Sequence, residues 1–166
     1  MALVIKSPAF APNGAMPIKY TCEDDDVSPA LEWSGVPERA KSLALIVDDP
    51  DAPDPKAPKM VYVHWVMYDI PTSASGLAEA MKSAKLPKGA REGKNDFGNV
   101  GYGGPCPPIG RHRYFFKLYA LDTTLGDLGG GATKADVEKA MKGHVLEQAE
   151  LVGTYQGAHG PAKARR

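Results

Sequence analysis

The sequence has no excess of charge of either sign. Its 166 residues contain 20 Lys and Arg and 20 Asp and Glu, so the formal net charge is zero. Proteins that bind nucleic acid or anionic membranes through general electrostatics need a basic patch or tail, and the basic residues of this chain are spread along it. The composition therefore argues against a nucleic-acid binder and against a polybasic membrane module.

Long apolar runs and cysteines are also scarce. No stretch approaches the roughly 18 apolar residues of a transmembrane helix, and residues 1–6 lack the pattern of a signal peptide, so we expect no transmembrane segment. Two cysteines, Cys22 and Cys106, are too few for a disulfide framework or a zinc site, which favours a reducing cytoplasm. We predict a single domain over residues 1–156, followed by a disordered tail at 157–166.

Glycine and proline, in contrast, are abundant. The 18 glycines and 15 prolines punctuate the whole chain, which disfavours a helical bundle and favours short strands joined by shaped loops. We predict strands at residues 2–6, 18–22, 30–33, 43–47, 61–68, 112–121 and 151–155. Residues 43–47 are apolar at every position, as is typical of a central strand buried on both faces. The sequence therefore predicts a mostly β domain.

Periodicity within two segments gives finer predictions. Alternation over residues 61–68 places His64 on the face of Tyr62 and Val66, and Trp65 on the opposite face with Val63. Helical spacing of apolar residues, with Thr133 as the N-cap, predicts a helix that continues through Val145. A second, shorter helix is predicted at residues 75–81.

Side chains capable of binding an anion follow or lie on three of the predicted strands. Asp49 and Asp51 lie in a proline-rich turn directly after the buried strand, where prolines stiffen the backbone. His64 lies on a second strand, and the spacing of His112 and Tyr114 places both on one face of a third. A carboxylate beside a histidine favours the protonated imidazole, so such a group could bind phosphate or carboxylate.

The same residue types allow other chemistry. Asp49, His64 and His112 could form a metal triad, or a histidine could activate Ser28 as a nucleophile. Neither a nucleophile-elbow motif nor a zinc-protease helix motif is present. We therefore expect a protein that is not an enzyme, and that has neither a cofactor nor a bound metal.

Several motifs together resemble one known family. Asp-Pro-Asp-Ala-Pro at residues 49–53, His64, and Gly-Arg-His-Arg-Tyr at residues 110–114 resemble the phosphatidylethanolamine-binding proteins, also called Raf kinase inhibitor proteins. Residues 28–37 and 104–108 are similar to the bacterial and archaeal branch of that family. The resemblance extends from about residue 3 to residue 155. It implies an antiparallel β-sandwich with a few peripheral helices and a small anion-binding pocket.

The resemblance also implies the ligand-binding residues. They are Asp49, Asp51, Pro53, His64, Gly104, Cys106, Pro108, His112 and Tyr114. In the family's pattern the prolines form a wall, residues 104 and 106 fall in a loop of backbone donors, and the peptide bond between residues 52 and 53 is cis. The implied function is binding of a small ligand that carries phosphate or carboxylate. The alternative is inhibition of a serine protease or kinase through surface loops, and a homodimer is also compatible with the sequence.

Overall fold

Eight strands and one α-helix make up the regular structure of the residues described by the computed structural model, 2–81 and 85–157. The elements are β1 (Val4–Lys6), β2 (Leu31–Ser34), β3 (Ser42–Ala52), β4 (Met60–Ile70), β5 (Gly76–Leu77), β6 (Arg91–Glu92), β7 (Arg111–Leu121), α1 (Lys134–Met141) and β8 (Val145–Gln156). A short 3₁₀ helix, Ile18–Tyr20, replaces the strand predicted at residues 18–22. Residues 75–81 contain β5 rather than the predicted second helix.

The strands form two antiparallel sheets that pack face to face. One sheet has three strands in the order β1-β2-β5, and the other has five in the order β6-β4-β3-β7-β8. The main core lies between them and includes Trp33 from the small sheet with Leu45 and Phe116 from the large one. The predicted mostly β sandwich is confirmed.

Strand β3 is the middle strand of the large sheet. Residues 43–47 are each at most 1% exposed, which confirms the prediction of a central strand buried on both faces. One face contributes to the core between the sheets, and Ala44 and Ile46 on the other face pack beneath Val137 and Met141 of α1. The strand continues to Ala52, so the prediction that it ends before Asp49 is wrong. Its antiparallel pairing with β4 and β7 extends the strand into the proline-rich segment.

A β-bulge in β4 interrupts the predicted alternation. Val47 pairs with Trp65 and Asp48 pairs with Val63, so His64 is the extra residue between the two pairs. Trp65 therefore packs in the core between the sheets while Val63, two residues earlier, packs in the second core. The prediction that these two side chains share a face is wrong, because a bulge inverts the side-chain parity of a strand.

Helix α1 begins as predicted and ends earlier. The Thr133 hydroxyl accepts the Asp136 N–H at 3.3 Å and the Asp136 carboxylate accepts the Thr133 N–H at 3.0 Å, forming a capping box. The helix stops at Met141, and Gly143 has φ +83°, a left-handed conformation that suits glycine. Val145, predicted to be helical, begins β8. His144, predicted as a helical residue, lies between the two elements, and its ring contacts Asp122.

The two cysteines form a disulfide. Cys22 and Cys106 are 84 residues apart in sequence, and their Cα atoms lie 5.4 Å apart. The interpretation of both as reduced thiols is therefore wrong, and the argument from it for a reducing cytoplasm no longer holds; the cytoplasmic location stays a prediction. None of the helices in the described ranges has the length and apolar character needed to cross a membrane. Residues 158–166 of the predicted tail lie outside the described ranges.

Candidate functional site

A pocket of about 170 Å³ lies at the edge of the large sheet, where β3 ends and its neighbours β4 and β7 begin. This edge is shared because the three strands are adjacent and antiparallel. The lining residues are Asp49, Ala52, Pro53, Met60, Tyr62, His64, Phe97, Cys106, Pro107, Pro108, His112 and Tyr114. The Ala52–Pro53 bond in this wall is cis.

Most of the residues proposed from the sequence lie in this pocket. It brings together Asp49, Pro53, His64, Cys106, Pro108, His112 and Tyr114. Asp51 and Gly104 do not line it. That the lining residues bind a ligand stays a prediction.

His112 forms a buried ion pair with Asp49. Its Nδ1 lies 2.6 Å from Asp49 Oδ2 and its Nε2 lies 2.8 Å from the Ile109 carbonyl oxygen. Both partners are acceptors, so the geometry favours the imidazolium form, in which both ring nitrogens carry a hydrogen. The imidazole and the carboxylate are 1% and 3% exposed as residues, and each supplies the counter-charge that the other needs in the interior.

Burial and the surrounding acceptors have opposite effects on the pKa of His112. Burial lowers the pKa, while the hydrogen bond and the charge of Asp49, the Ile109 carbonyl and the charge of Asp51 raise it. The net result is a pKa above the ordinary value of 6.5. Asp49 thus orients His112 and stabilises its charge, in the way expected of a carboxylate beside a histidine.

Asp51 acts on the pocket through Asp49. Its backbone N–H donates to Asp49 Oδ1 at 2.7 Å, which leaves Oδ2 directed at His112. Its carboxylate accepts Nε and Nη2 of Arg113 at 2.9 and 2.8 Å and the Arg113 backbone N–H at 2.9 Å. The Arg113 hydrogen bonds hold the pKa of Asp51 below its usual value, although burial opposes them. Asp51 therefore fixes the strand beside the pocket and is not in contact with the cavity.

His64 lies among aromatic rings. Its Nδ1 is 2.6 Å from the Gly103 carbonyl oxygen, so Nδ1 carries a hydrogen and Nε2 is an acceptor whenever the ring is neutral. The ring centroids of Tyr62, Phe97 and Tyr114 lie 5.3, 5.4 and 5.2 Å from that of His64. The bulge at His64 turns this side chain towards the ring cluster while Trp65 enters the core.

Phe97 was not found from the sequence. It lies in a loop held by the buried Asn95, whose Oδ1 accepts the Phe97 N–H at 2.9 Å and whose amide donates to Gly101 O at 2.9 Å. A Cβ on Gly103 would lie 2.4 Å from the Phe97 ring, so the ring occupies space that glycine leaves open. No local motif marks this arrangement. Tyr62 could have been found, because it shares the predicted strand face of His64.

Gly104 has a structural role in the loop behind the pocket. Its N–H donates to Asp26 Oδ1 at 2.8 Å, so it is directed away from the cavity rather than being a donor to it. A Cβ at this position would lie 2.1 Å from the Tyr20 carbonyl oxygen, which requires glycine. Together with the disulfide of Cys106, this close contact holds residues 104–108 against residues 20–26.

The alternative chemistries find little support in the geometry. Ser28 accepts the Met81 N–H at 2.9 Å and does not line the pocket that contains both histidines. Within residues 2–81 and 85–157, no group of three or more His, Cys, Asp and Glu side chains is arranged to hold a metal ion.

Comparison with known proteins identifies relatives over nearly the whole chain. Residues 6–156 match the family model described as phosphatidylethanolamine-binding protein. A protein of Methanothermobacter thermautotrophicus named UPF0098 protein is 54% identical over 153 residues, which cover 92% of this chain and 97% of that protein.

Two solved structures share the fold at substantial identity. CT736 from Chlamydia trachomatis, described as a homologue of phosphatidylethanolamine-binding protein, has a TM-score of 0.85 and 42% identity, with 94% of this chain and 98% of that chain covered. YbcL from Escherichia coli, described as a member of the mammalian PEBP family, has a TM-score of 0.85 and 33% identity, with 95% and 99% covered.

Proposed function

The chain belongs to the phosphatidylethanolamine-binding protein family, and we propose that it binds a small ligand bearing a phosphate or carboxylate group in the pocket at the end of β3. The observation that carries the proposal is the buried His112–Asp49 pair in the wall of a concave, mainly apolar cavity. Small-molecule sites are commonly concave and largely apolar, with a few polar groups that fix the ligand's orientation.

Binding without turnover is the better proposal for this arrangement. A general base needs a nitrogen lone pair within reach of the proton that it removes. Both ring nitrogens of His112 are engaged as donors, to Asp49 and to the Ile109 carbonyl. His112 therefore contributes a fixed, locally neutralised charge and ring packing. We assign the direct polar contact with the ligand to His64, whose Nε2 donates to an anion when the ring is in its imidazolium form.

Titration with simple anions tests this function. We expect benzoate and phenyl phosphate to shift the NMR signals of the residues that line the pocket, and uncharged benzyl alcohol to have a weaker effect. His64→Ala should weaken binding of both anions about tenfold or more, since a hydrogen bond to a charged group contributes roughly 1.5–3 kcal/mol.

The matched control is His144→Ala, because His144 is exposed and contacts Asp122 outside the pocket. Its affinity for both anions should equal that of the unaltered protein. If His64→Ala unfolds, Phe97→Ala removes a half-buried ring of the same cluster without burying an unpaired polar group. Absence of binding by both anions, or equal binding by all variants, would rule out the proposed pocket.

Inhibition of a serine protease or kinase through surface loops stays a prediction, as does a homodimer. Ile109, at the tip of the loop behind the pocket, is 41% exposed. A protein partner that binds this loop should change the NMR signal of Ile109. Loss of proteolysis in a panel of serine proteases at stoichiometric protein would support inhibition, and unchanged rates would contradict it.

A further inference from the structure

Strand β8 forms one edge of the large sheet, and the chain covers this edge only at the end nearest the pocket. The Asn13 N–H donates to the Val152 carbonyl oxygen at 2.6 Å. The Thr154 N–H donates to the Gly14 carbonyl oxygen at 2.9 Å. These bonds show that the even-numbered residues of β8 direct their backbone groups away from β7, and that residues 13–16 close the edge from residue 152 onwards.

The preceding part of the same edge is open. The pairing of β8 with β7 advances one residue at a time from residue 147 to residue 156, so the backbone groups of Gln148 and Glu150 also point outwards. Both residues are exposed, and within residues 2–81 and 85–157 no hydrogen bond engages these outward groups. A bulge at Leu146 ends the regular pairing on the other side. Residues 147–151 are therefore an open edge with a boundary at each end.

We propose that this open edge pairs with the open edge of a second copy of the chain, in a two-fold antiparallel dimer centred on Ala149. An unpaired strand edge is a template for another strand. A two-fold homodimer uses the same surface on both subunits, so the edge must complement itself. The pairing joins the two five-stranded sheets into one continuous sheet.

The open edge complements itself in backbone and in side chains. Centring on Ala149, the middle of the open edge, places Gln148 opposite the partner's Glu150 on both sides of the axis. The outward backbone groups then face one another, and each such pair exchanges two hydrogen bonds. The Gln148 amide can also donate to the partner's Glu150 carboxylate. Lys117, which lies opposite Glu150 in β7, is already engaged by the buried Asp48 at 3.1 Å.

Neighbouring registers create conflicts. Centring on Glu150 would place its carboxylate directly opposite the same carboxylate of the second copy, and like charges in this position are destabilising. Centring on Gln148 would pair Glu150 with Leu146, the bulged residue at the start of the strand. A register displaced further towards residue 152 would meet residues 13–16, which already occupy that part of the edge.

The dimer leaves both pockets open. Tyr155 pairs with His112 in the pocket wall, and the strand from Ala149 to Tyr155 is about 20 Å long at about 3.3 Å per residue. The two-fold axis therefore places the two pockets towards opposite ends of the joined sheet. The dimer does not depend on the proposed ligand binding, and affinity for benzoate should be the same at low and high protein concentration.

Sedimentation velocity at increasing protein concentration tests the interface. Such a short strand pairing buries little surface, so we expect a weak, reversible dimer that is populated as the protein approaches about 1 mM. Gln148→Lys should tighten the dimer about fivefold, because each new ammonium lies opposite the partner's Glu150 carboxylate. Gln148→Glu should weaken it about as much, because like charges then face one another.

The matched controls are Gln156→Lys and Gln156→Glu. Gln156 is exposed on the same strand, at its far end, where it pairs with Arg111. These two variants should leave the monomer–dimer equilibrium unchanged. A protein that sediments as a monomer at every concentration overturns the proposal, and so does a dimer that Gln148→Lys and Gln156→Lys affect equally.

Hydrogen exchange in the unaltered protein provides a second test that no variant's folding can compromise. The amide protons of Gln148 and Glu150 should exchange quickly in dilute protein and more slowly in concentrated protein. Those of Ala149 and Leu151 point towards β7 and should be protected at both concentrations. Exchange at residues 148 and 150 that does not slow with concentration overturns the proposed interface, whatever the outcome of the benzoate titrations.

Discussion

A histidine that donates from both ring nitrogens while buried is a charged group with a fixed orientation. In His112 the two acceptors are the Asp49 carboxylate and the Ile109 carbonyl. Because the pKa of His112 in the folded protein lies above its ordinary value, folding is linked to proton binding at this site. The stabilisation is fully present below the unfolded pKa of about 6.5, and it is lost as the pH rises through the higher folded pKa.

Asp49→Asn should lower both the pKa of His112 and the free energy of unfolding. The amide oxygen can still accept from Nδ1 but no longer supplies the negative charge, so we expect a loss of about 1–3 kcal/mol near pH 6. The loss should be smaller above the folded pKa of His112, where the unaltered protein has also lost its imidazolium. Chemical denaturation at several pH values, with NMR titration of the His112 ring, measures both effects.

Asp24→Asn is the control, because Asp24 is exposed and its side chain lies outside the pocket. It should leave the stability and the His112 titration unchanged. An unchanged pKa of His112 in Asp49→Asn would contradict the assignment of the ion pair.

The residue types of the site could be predicted from the sequence, but the contacts of each residue could not. The spacing of His112 and Tyr114 predicted that both lie on one strand face, and the resemblance to the family predicted that they share a pocket with Asp49 and His64. Sequence gave no means to see that Asp51 would be engaged by Arg113, or that Gly104 would donate to Asp26. These partners come from other segments of the chain, and only the packing of the loops brings them together.

At the scale of the elements, strand periodicity was informative until the backbone departed from a regular strand. The bulge at His64 inverts the parity of β4, and no residue pattern in the sequence marks it. At α1 the helical spacing of apolar residues continued to Val145. The left-handed Gly143 ends that pattern, and the pairing of residues 145–156 with β7 supplies hydrogen bonds that a longer helix would lack.

The loop that carries Phe97 offers a test of how elements shape the pocket. Gly103→Ala should move the Phe97 ring, because the new Cβ would lie 2.4 and 2.7 Å from two ring carbons. The ring is half-buried and can rotate, so we expect a modest loss of stability, about 1 kcal/mol, with a several-fold loss of affinity for benzoate. Calorimetry with benzoate and thermal unfolding measure the two quantities.

Gly130→Ala is the matched control for this substitution. A Cβ at Gly130 would meet no atom within 4 Å, and its backbone lies outside the left-handed region. Both quantities should remain as in the unaltered protein. Equal affinities for benzoate in the two variants would show that Phe97 does not contribute to binding.

For the whole molecule, a mostly β domain could be predicted because its central strand is apolar at every position, and the sandwich could be predicted only from the resemblance to the family. The disulfide could not, because 84 residues separate its two cysteines and composition alone says nothing about their proximity. In the structure the bond joins the loop after the 3₁₀ helix to the wall of the pocket, where Cys106 is 2% exposed. It is therefore placed to support the fold and the pocket together.

Removing the disulfide should show this double role. In Cys22→Ala/Cys106→Ala we expect the free energy of unfolding to fall by about 2–5 kcal/mol, because the unfolded chain is no longer cross-linked over a long loop. Affinity for benzoate should also fall, since residues 107 and 108 of the pocket wall directly follow the lost bond.

The unaltered protein treated with dithiothreitol should approach the stability of the variant, while the variant should not respond to the reductant. Two free thiols in the untreated, denatured protein would show that the bond is absent. A variant with unchanged stability and affinity would show instead that the hydrogen bonds from Gly104 to Asp26 and from Cys22 to Pro105 are sufficient to hold the loop.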